Sequence, residues 1–186
     1  MAFPIVFSKN ECAAYLSAIV RSFEKQHTTF LGRTALQKLA YFCKTLGVPI
    51  PCQFEIYTYG PYSDTITFTV DSLLADDVVV DKSTEAKYSN YRLGVQADEF
   101  FDYAGTTIRP YEPIIDTVVK VFGGFRPEEL ELIATLHFIC QRQRTITGEA
   151  PVREKVIEKF VGIKGDKFGF ERINAWYDAL SSAKLI

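Results

Sequence analysis

The 186-residue chain has only two histidines, His27 and His137, and no Cys-x-x-Cys pair. Its four cysteines, Cys12, Cys43, Cys52 and Cys140, stand apart, and none has zinc-finger spacing to a histidine. His137 and Cys140 lie three residues apart on one helix face, which supplies two ligands at most. Leu130 and Ile133 share that face, so it reads as packed core. Neither a metal site nor a Cys-His nucleophile is expected. No Gly-x-x-x-x-Gly-Lys-Ser/Thr loop occurs; Gly123-Gly124 and Gly162, Gly165 and Gly169 read as helix punctuation. The adjacent acids Asp76-Asp77, Asp98-Glu99 and Glu128-Glu129 do not face each other on a helix or a strand. No catalytic residue and no cofactor is therefore assigned, and the expectation is a protein that is not an enzyme.

A long apolar run is also missing: none approaches the ~18–20 residues that span a bilayer. The apolar start, Met1–Phe7, lacks the basic flank and the cleavage site of a signal peptide. With cysteines that read as reduced, small hydrophobic residues, this predicts a cytoplasmic protein with no membrane contact. A basic excess is absent as well. The net charge is −2 and the pI is about 5.8. Residues 1–105 carry 9 Lys and Arg against 12 Asp and Glu, and residues 106–186 carry 12 against 11. A general polyanion binder is excluded on that balance.

Aromatic side chains, by contrast, are abundant: 15 Phe and 10 Tyr bring the fraction to 14% with the one Trp. More rings than a core of this size needs predict a contact surface. Helical spacing of Cys12, Leu16, Ile19, Val20 and Phe23 predicts a first helix over 9–26, opened by a Ser8-x-x-Glu11 capping box. Thr34-x-x-Gln37 repeats that signature before the stripe Leu36, Leu39, Ala40, Cys43 and Leu46 of a second helix, which Gly47 ends. Phe54–Thr58 reads as a strand running into a turn, Tyr59–Ser63. Asp64–Leu74 reads as a third helix with Ser63 as its N-cap. Val78–Lys82 and Tyr88–Val95 then form a hairpin. Residues 98–107 have no clear period, and a boundary is placed there. Four apolar stripes follow: Ile114–Phe122, a helix opened by Pro127, Val152–Phe160, and Phe170–Leu180. The fold expected is mostly helical α+β, with a winged-helix-like part over 1–105 and an added helical part over 106–186.

Two segments carry more than periodicity: Leu36-Gln37-Lys38-Leu39-Ala40-Tyr41-Phe42, and Phe54-Glu55-Ile56-Tyr57-Thr58-Tyr59-Gly60-Pro61-Tyr62-Ser63. Together they resemble the Panacea superfamily, which includes SocA-like antitoxins and YwgA-like proteins, across the first ~90 residues. The C-terminal Ile173–Ile186 looks like that group's closing helix. The resemblance implies a winged-helix-like fold with added helices. It also implies a non-enzymatic role as an antitoxin or adaptor, with a toxin or a protease substrate as partner. Read physically, Gly60 supplies a backbone shape that other residues resist, and Pro61 ends the strand. Tyr57 and Tyr59 fall on one strand face. The segment serves either as a strand-to-helix connection whose rings seal the core or as a partner-binding patch of Tyr57, Tyr59, Gly60, Pro61 and Tyr62.

The alternative partner is DNA, bound by a transcriptional regulator. The third helix contains Asp64 and Asp71 and no Lys or Arg, a poor set for reading the major groove. The contacts would then fall to Lys82, Lys87 and Arg92 of the hairpin and to Arg142 and Arg144. The last two belong to a basic stretch continuing through Arg153, Lys155, Lys159, Lys164 and Lys167, which reads as a solvated helix face. A homodimer is the default assembly.

Overall fold

Runs of apolar residues broken by few polar ones put three helices at the centre of the molecule. In the computed structural model, which describes residues 10–186, α1 (Glu11–Gln26) buries every residue from Cys12 to Val20. The second helix, α2 (Arg33–Thr45), is buried without interruption from Ala35 to Cys43. A third long helix, which becomes α6 (Pro127–Thr147) in chain order, is buried from Leu130 to His137. Helices covered on all sides have to satisfy their polar side chains internally. Gln37, Lys38, Glu131 and His137 fall in these runs and find such partners, whereas the buried Thr135 hydroxyl has none among the described residues.

The remaining elements wrap this centre. After α2 come β1 (Glu55–Tyr57) and β2 (Gly60–Tyr62), an antiparallel hairpin with the register Glu55↔Tyr62, Ile56↔Pro61 and Tyr57↔Gly60. Then follow α3 (Asp64–Ala75) and a second hairpin, β3 (Val79–Asp81) with β4 (Tyr91–Leu93). Next are α4 (Ala97–Ile108), a 3-10 turn at Arg109–Tyr111, and α5 (Glu112–Phe122). After α6, α7 (Arg153–Lys164) and α8 (Phe170–Ser182) close the chain. α1 packs on α5, α4, α3 and α2, while α6 packs on α2, α7, α8 and β2. Phe42 of α2 stacks flat on Phe122 of α5, centroids 4.0 Å apart, so one core runs between the two parts. No helix among the described residues is long and apolar enough to cross a membrane.

The protein is mostly helical α+β, as the sequence predicts, and its strands form two small antiparallel sheets where the sequence suggested one hairpin and a lone strand. Several local expectations change. Ser8 lies outside the described residues; the N-cap of α1 is Asn10, whose side chain accepts from the Ala13 N–H at 3.2 Å. The Thr34/Gln37 box does not form. Gly32 is the N-cap of α2, Thr34 is helical, and Gln37 is drawn away by a buried partner described below. Tyr59–Ser63 is not a bare turn: Gly60–Tyr62 is β2, and Pro61 sits inside that strand rather than ending β1. Ser63 holds the N-cap position of α3 without a side-chain capping bond. Residues 98–107 are helical. Ala97, Phe100, Ala104 and Ile108 recur at three- and four-residue spacing and bury one side of α4, so residue 105 lies within a helix.

Candidate functional site at the β1–β2 hairpin

The two segments that carry the family resemblance turn out to be two sides of one contact. Strand β2 lies on α2 and α6, and its backbone is held by buried side chains. Gln37 closes a fork on Ser63: its Nε2 donates to the Ser63 carbonyl at 2.9 Å and its Oε1 accepts the Ser63 N–H at 3.1 Å. Lys38, 1% exposed, donates its ammonium to the Pro61 carbonyl at 2.8 Å. From the far end of the chain, Lys164 donates to the Thr58 carbonyl at 2.8 Å. Three of the six carbonyls from Thr58 to Ser63 are thus taken by side chains from outside the hairpin.

The lysines converge on one acid. Glu131 of α6 accepts from Lys164 and, with both oxygens, from Lys167, at 2.8–2.9 Å. The Lys164 and Glu131 side chains are each 3% exposed. Lys38 feels the same group: burial pushes its pKa down to about 7, the Glu131 charge opposes that, and Lys164 adds to it. Lys167 reaches solvent, whereas Lys38 is almost fully enclosed, so burial outweighs the attraction of Glu131 and disfavours the charged form of Lys38.

Gly60 lets the hairpin sit this close. Its φ is +86°, and a Cβ there would lie 2.6 Å from Thr135 Oγ1 and 3.3 Å from the Glu131 carbonyl. The turn between the strands is only Thr58-Tyr59. Register then sorts the side chains. Ile56 and Pro61 form the inner pair, whereas Glu55, Tyr57 and Tyr62 share the outer face.

The exposure of the first two rings bears on whether the motif seals the core. Tyr57 is 67% exposed and Tyr59 58% exposed, so neither seals the core. Contrary to the expectation that they share a strand face, Tyr59 stands in the turn, with the Lys167 ammonium 5.3 Å from its ring centre. Tyr57 stacks on Tyr62, centroids 5.5 Å apart at 30°. Tyr62 is half-buried and shares a hydrogen bond with Thr67 of α3 at 2.8 Å. Phe68, one residue further along α3, is 68% exposed.

Elsewhere the sequence candidates find structural partners. Tyr41 donates its hydroxyl to His137 Nδ1 at 2.7 Å, and burial drives the His137 pKa down to about 4, leaving the ring neutral. All four cysteines are buried free thiols, and burial pushes Cys140 up to about 12 and Cys52 up to about 11. Among the described residues no group of three or more His, Cys, Asp or Glu is placed to hold a metal ion. The basic stretch near the C-terminus is not a uniformly solvated face. Lys164 and Lys167 are committed to Glu131, and Arg153 pairs with Asp178 at 2.6 Å and with Asn174. Of the nucleic-acid candidates, Arg92 donates to the Thr29 carbonyl at 2.9 Å. Lys82 and Lys87 are exposed on the β3–β4 loop, and Arg142 and Arg144 are exposed on α6. The β3–β4 hairpin packs on α1 and α3, whereas α6 packs on β2, α2, α7 and α8.

What this site defines is a mostly helical α+β protein whose short hairpin is clamped on buried charge and carries tyrosines outward. No family model matches the chain. Over 109 residues, 57% of its length, it is 28% identical to the "Uncharacterized protein YwgA" of Bacillus subtilis (strain 168). The chain covers 63% of that protein. The relative is of the YwgA-like kind that the Leu36–Phe42 and Phe54–Ser63 segments resemble.

Proposed function

We propose that the protein is a non-catalytic interaction module, antitoxin- or adaptor-like, that captures a partner protein on the β1–β2 hairpin. The observation that carries this reading is the exposed pair Tyr57 and Tyr59 on a backbone tied down by Gln37, Lys38 and Lys164. Tyrosine supplies large contact area at low entropic cost, and a rigid base lowers the cost of ordering it on binding. Phe68 of α3 extends the aromatic surface.

The element order helix, helix, hairpin, helix, hairpin supports a winged-helix-like reading of residues 1–105, with 106–186 as the added helical part. It does not favour DNA as the partner: the exposed face of α3 presents Asp64, Thr65, Phe68 and Asp71 and no cation. The test is a pull-down of the tagged protein from its native lysate, with and without nuclease. A stoichiometric protein should survive nuclease and be lost with Tyr57→Ala/Tyr59→Ala, while the melting temperature stays within ~2 °C because both rings are exposed. Partners that vanish with nuclease, or that ignore the double variant, overturn the proposal.

A further inference from the structure

Beside the hairpin, its outer face meets the start of α3 across a groove of about 540 Å³. Glu55 and Asp64 are the charged residues that line it; no Lys or Arg does. Neither carboxylate is in an ion pair among the described residues, unlike Glu24, Glu112, Glu128, Glu129, Glu131 and Asp178. The nearby cation Lys44 is spent on the Ile50 carbonyl at 2.8 Å. The register puts Glu55 directly across from Tyr62 and on the same face as Tyr57, so one carboxylate borders a ring pair fixed at 5.5 Å. Along the other side, Pro51–Gln53 form no regular element, and their one backbone bond is from the Cys52 N–H to the Ile50 carbonyl at 2.8 Å. Pro51 and Gln53 are exposed, and the Gln53 N–H enters no hydrogen bond among the described residues, which leaves one donor for an extended visitor.

We infer that this groove receives an arginine side chain carried on an extended segment of the partner protein. The inference rests on the interaction reading above and adds the chemistry of what is bound. A guanidinium is planar, lies flat on a tyrosine face, and gives parallel hydrogen bonds to a carboxylate. The groove supplies a ring surface from Tyr57 and Tyr62 and two carboxylates around a volume of about 540 Å³. Lysine meets the charge without the plane. An acidic segment or a nucleic-acid phosphate meets two carboxylates of its own sign.

The experiment is a ¹⁵N-resolved titration of the whole protein with the tripeptides Ac-Gly-Arg-Gly-NH2, Ac-Gly-Lys-Gly-NH2 and Ac-Gly-Glu-Gly-NH2. Arginine should give saturable shifts confined to residues 51–57 and 62–65, at least ~3-fold tighter than lysine, with none from glutamate. The variant Glu55→Gln/Asp64→Asn should weaken the arginine response roughly 10-fold while the remaining resonances keep their positions. Absence of saturable groove shifts, equal response to the glutamate peptide, or insensitivity to the double variant overturns the inference. If those results arise while Tyr57→Ala/Tyr59→Ala still abolishes partner capture, the arginine falls and the interaction module stands. If capture ignores the tyrosines, the interaction reading itself falls.

Discussion

Two hairpins of the same size lie on the same helical body and are built in opposite ways. Each pairs three residues with three, antiparallel. The β3–β4 hairpin has a long loop, residues 82–90, ordered from within: Asp81 Oδ1 accepts the Ser83 and Asn90 N–H groups at 2.9 and 2.8 Å. Its strands lean on neighbours through backbone bonds such as Tyr91 N–H to the Leu31 carbonyl at 2.9 Å. The β1–β2 hairpin has a two-residue turn, and its carbonyls are held by lysines from helices 23 and 106 residues away in sequence. Burying Lys38, Lys164 and Glu131 is an expensive way to hold a strand, and apolar packing of similar volume generally serves stability as well or better. The first hairpin is held by buried charge from distant helices, the second by its own loop and by backbone bonds.

The comparison breaks most visibly at Glu131. Glu131→Gln leaves Lys164 and Lys167 without their acid in a site that is 3% exposed on the Lys164 side. A loss of about 3–5 kcal/mol is expected, seen as a fall in melting temperature of roughly 10 °C. No single acid in the β3–β4 hairpin should approach that. Gly60→Ala comes next. It adds a Cβ at φ +86° and 2.6 Å from Thr135 Oγ1, and the expected cost is about 2–4 kcal/mol by chemical denaturation. If Gly60→Ala were as stable as the parent, the close seating of β2 on α6 would be wrong.

Much of the helical frame was legible from apolar spacing: α3, α5, α7 and α8 each bury a side that recurs at three and four residues, and α1, α2 and α6 carry such a stripe within longer buried runs. The frame failed to read at α4, where Gly105 and a run of small and polar residues hide the stripe of Ala97, Phe100, Ala104 and Ile108. The site was half legible. The motif pointed to Tyr57, Tyr59, Gly60, Pro61 and Tyr62, but not to what lies beneath. The spacing suggests a capping box for Gln37 and a solvated face for Lys164 and Lys167, and it singles out Glu131 for nothing. Local spacing cannot link Lys38 to an acid 93 positions on. Nothing in the spacing marks Lys38, because α2 carries polar residues at Arg33, Thr34, Gln37, Lys44 and Thr45 as well; the helix's unbroken burial from Ala35 to Cys43 comes from the packing of α6 and β2 on it.

The pH response of the clamp sharpens the contrast further. With its pKa down from 10.5 to about 7, Lys38 is a cost to the folded state whenever it is charged. Between those two values the unfolded chain binds more protons than the folded one, so this contribution to stability rises with pH from about 7 to 10.5 and is flat below 7. Lys38→Met removes the titrating group. Its stability relative to the parent should be highest near pH 7 and should decline steadily toward pH 10.5. His137 acts at the other end: held neutral with a pKa lowered to about 4, it withdraws stability as pH falls from 6.5 through 4.

The smallest effect is expected in the second hairpin and is informative for that reason. Burial pushes the Asp81 carboxyl up, but the hydrogen bonds from Asn90 and Ser83 outweigh it and hold the pKa below the usual range. Asp81→Ala removes those two contacts from a solvent-facing loop and should cost no more than about 1 kcal/mol, since water replaces what is lost. Amide exchange should quicken across 82–90 and stay unchanged at Gly60–Ser63, because the β3–β4 hairpin packs on α1 and α3 whereas β2 packs on α2 and α6. Partner capture should also be unchanged. Loss of capture by Asp81→Ala, or by charge reversal at Lys82 and Lys87, would move the interaction surface to the β3–β4 hairpin and leave the buried lysines as packing alone.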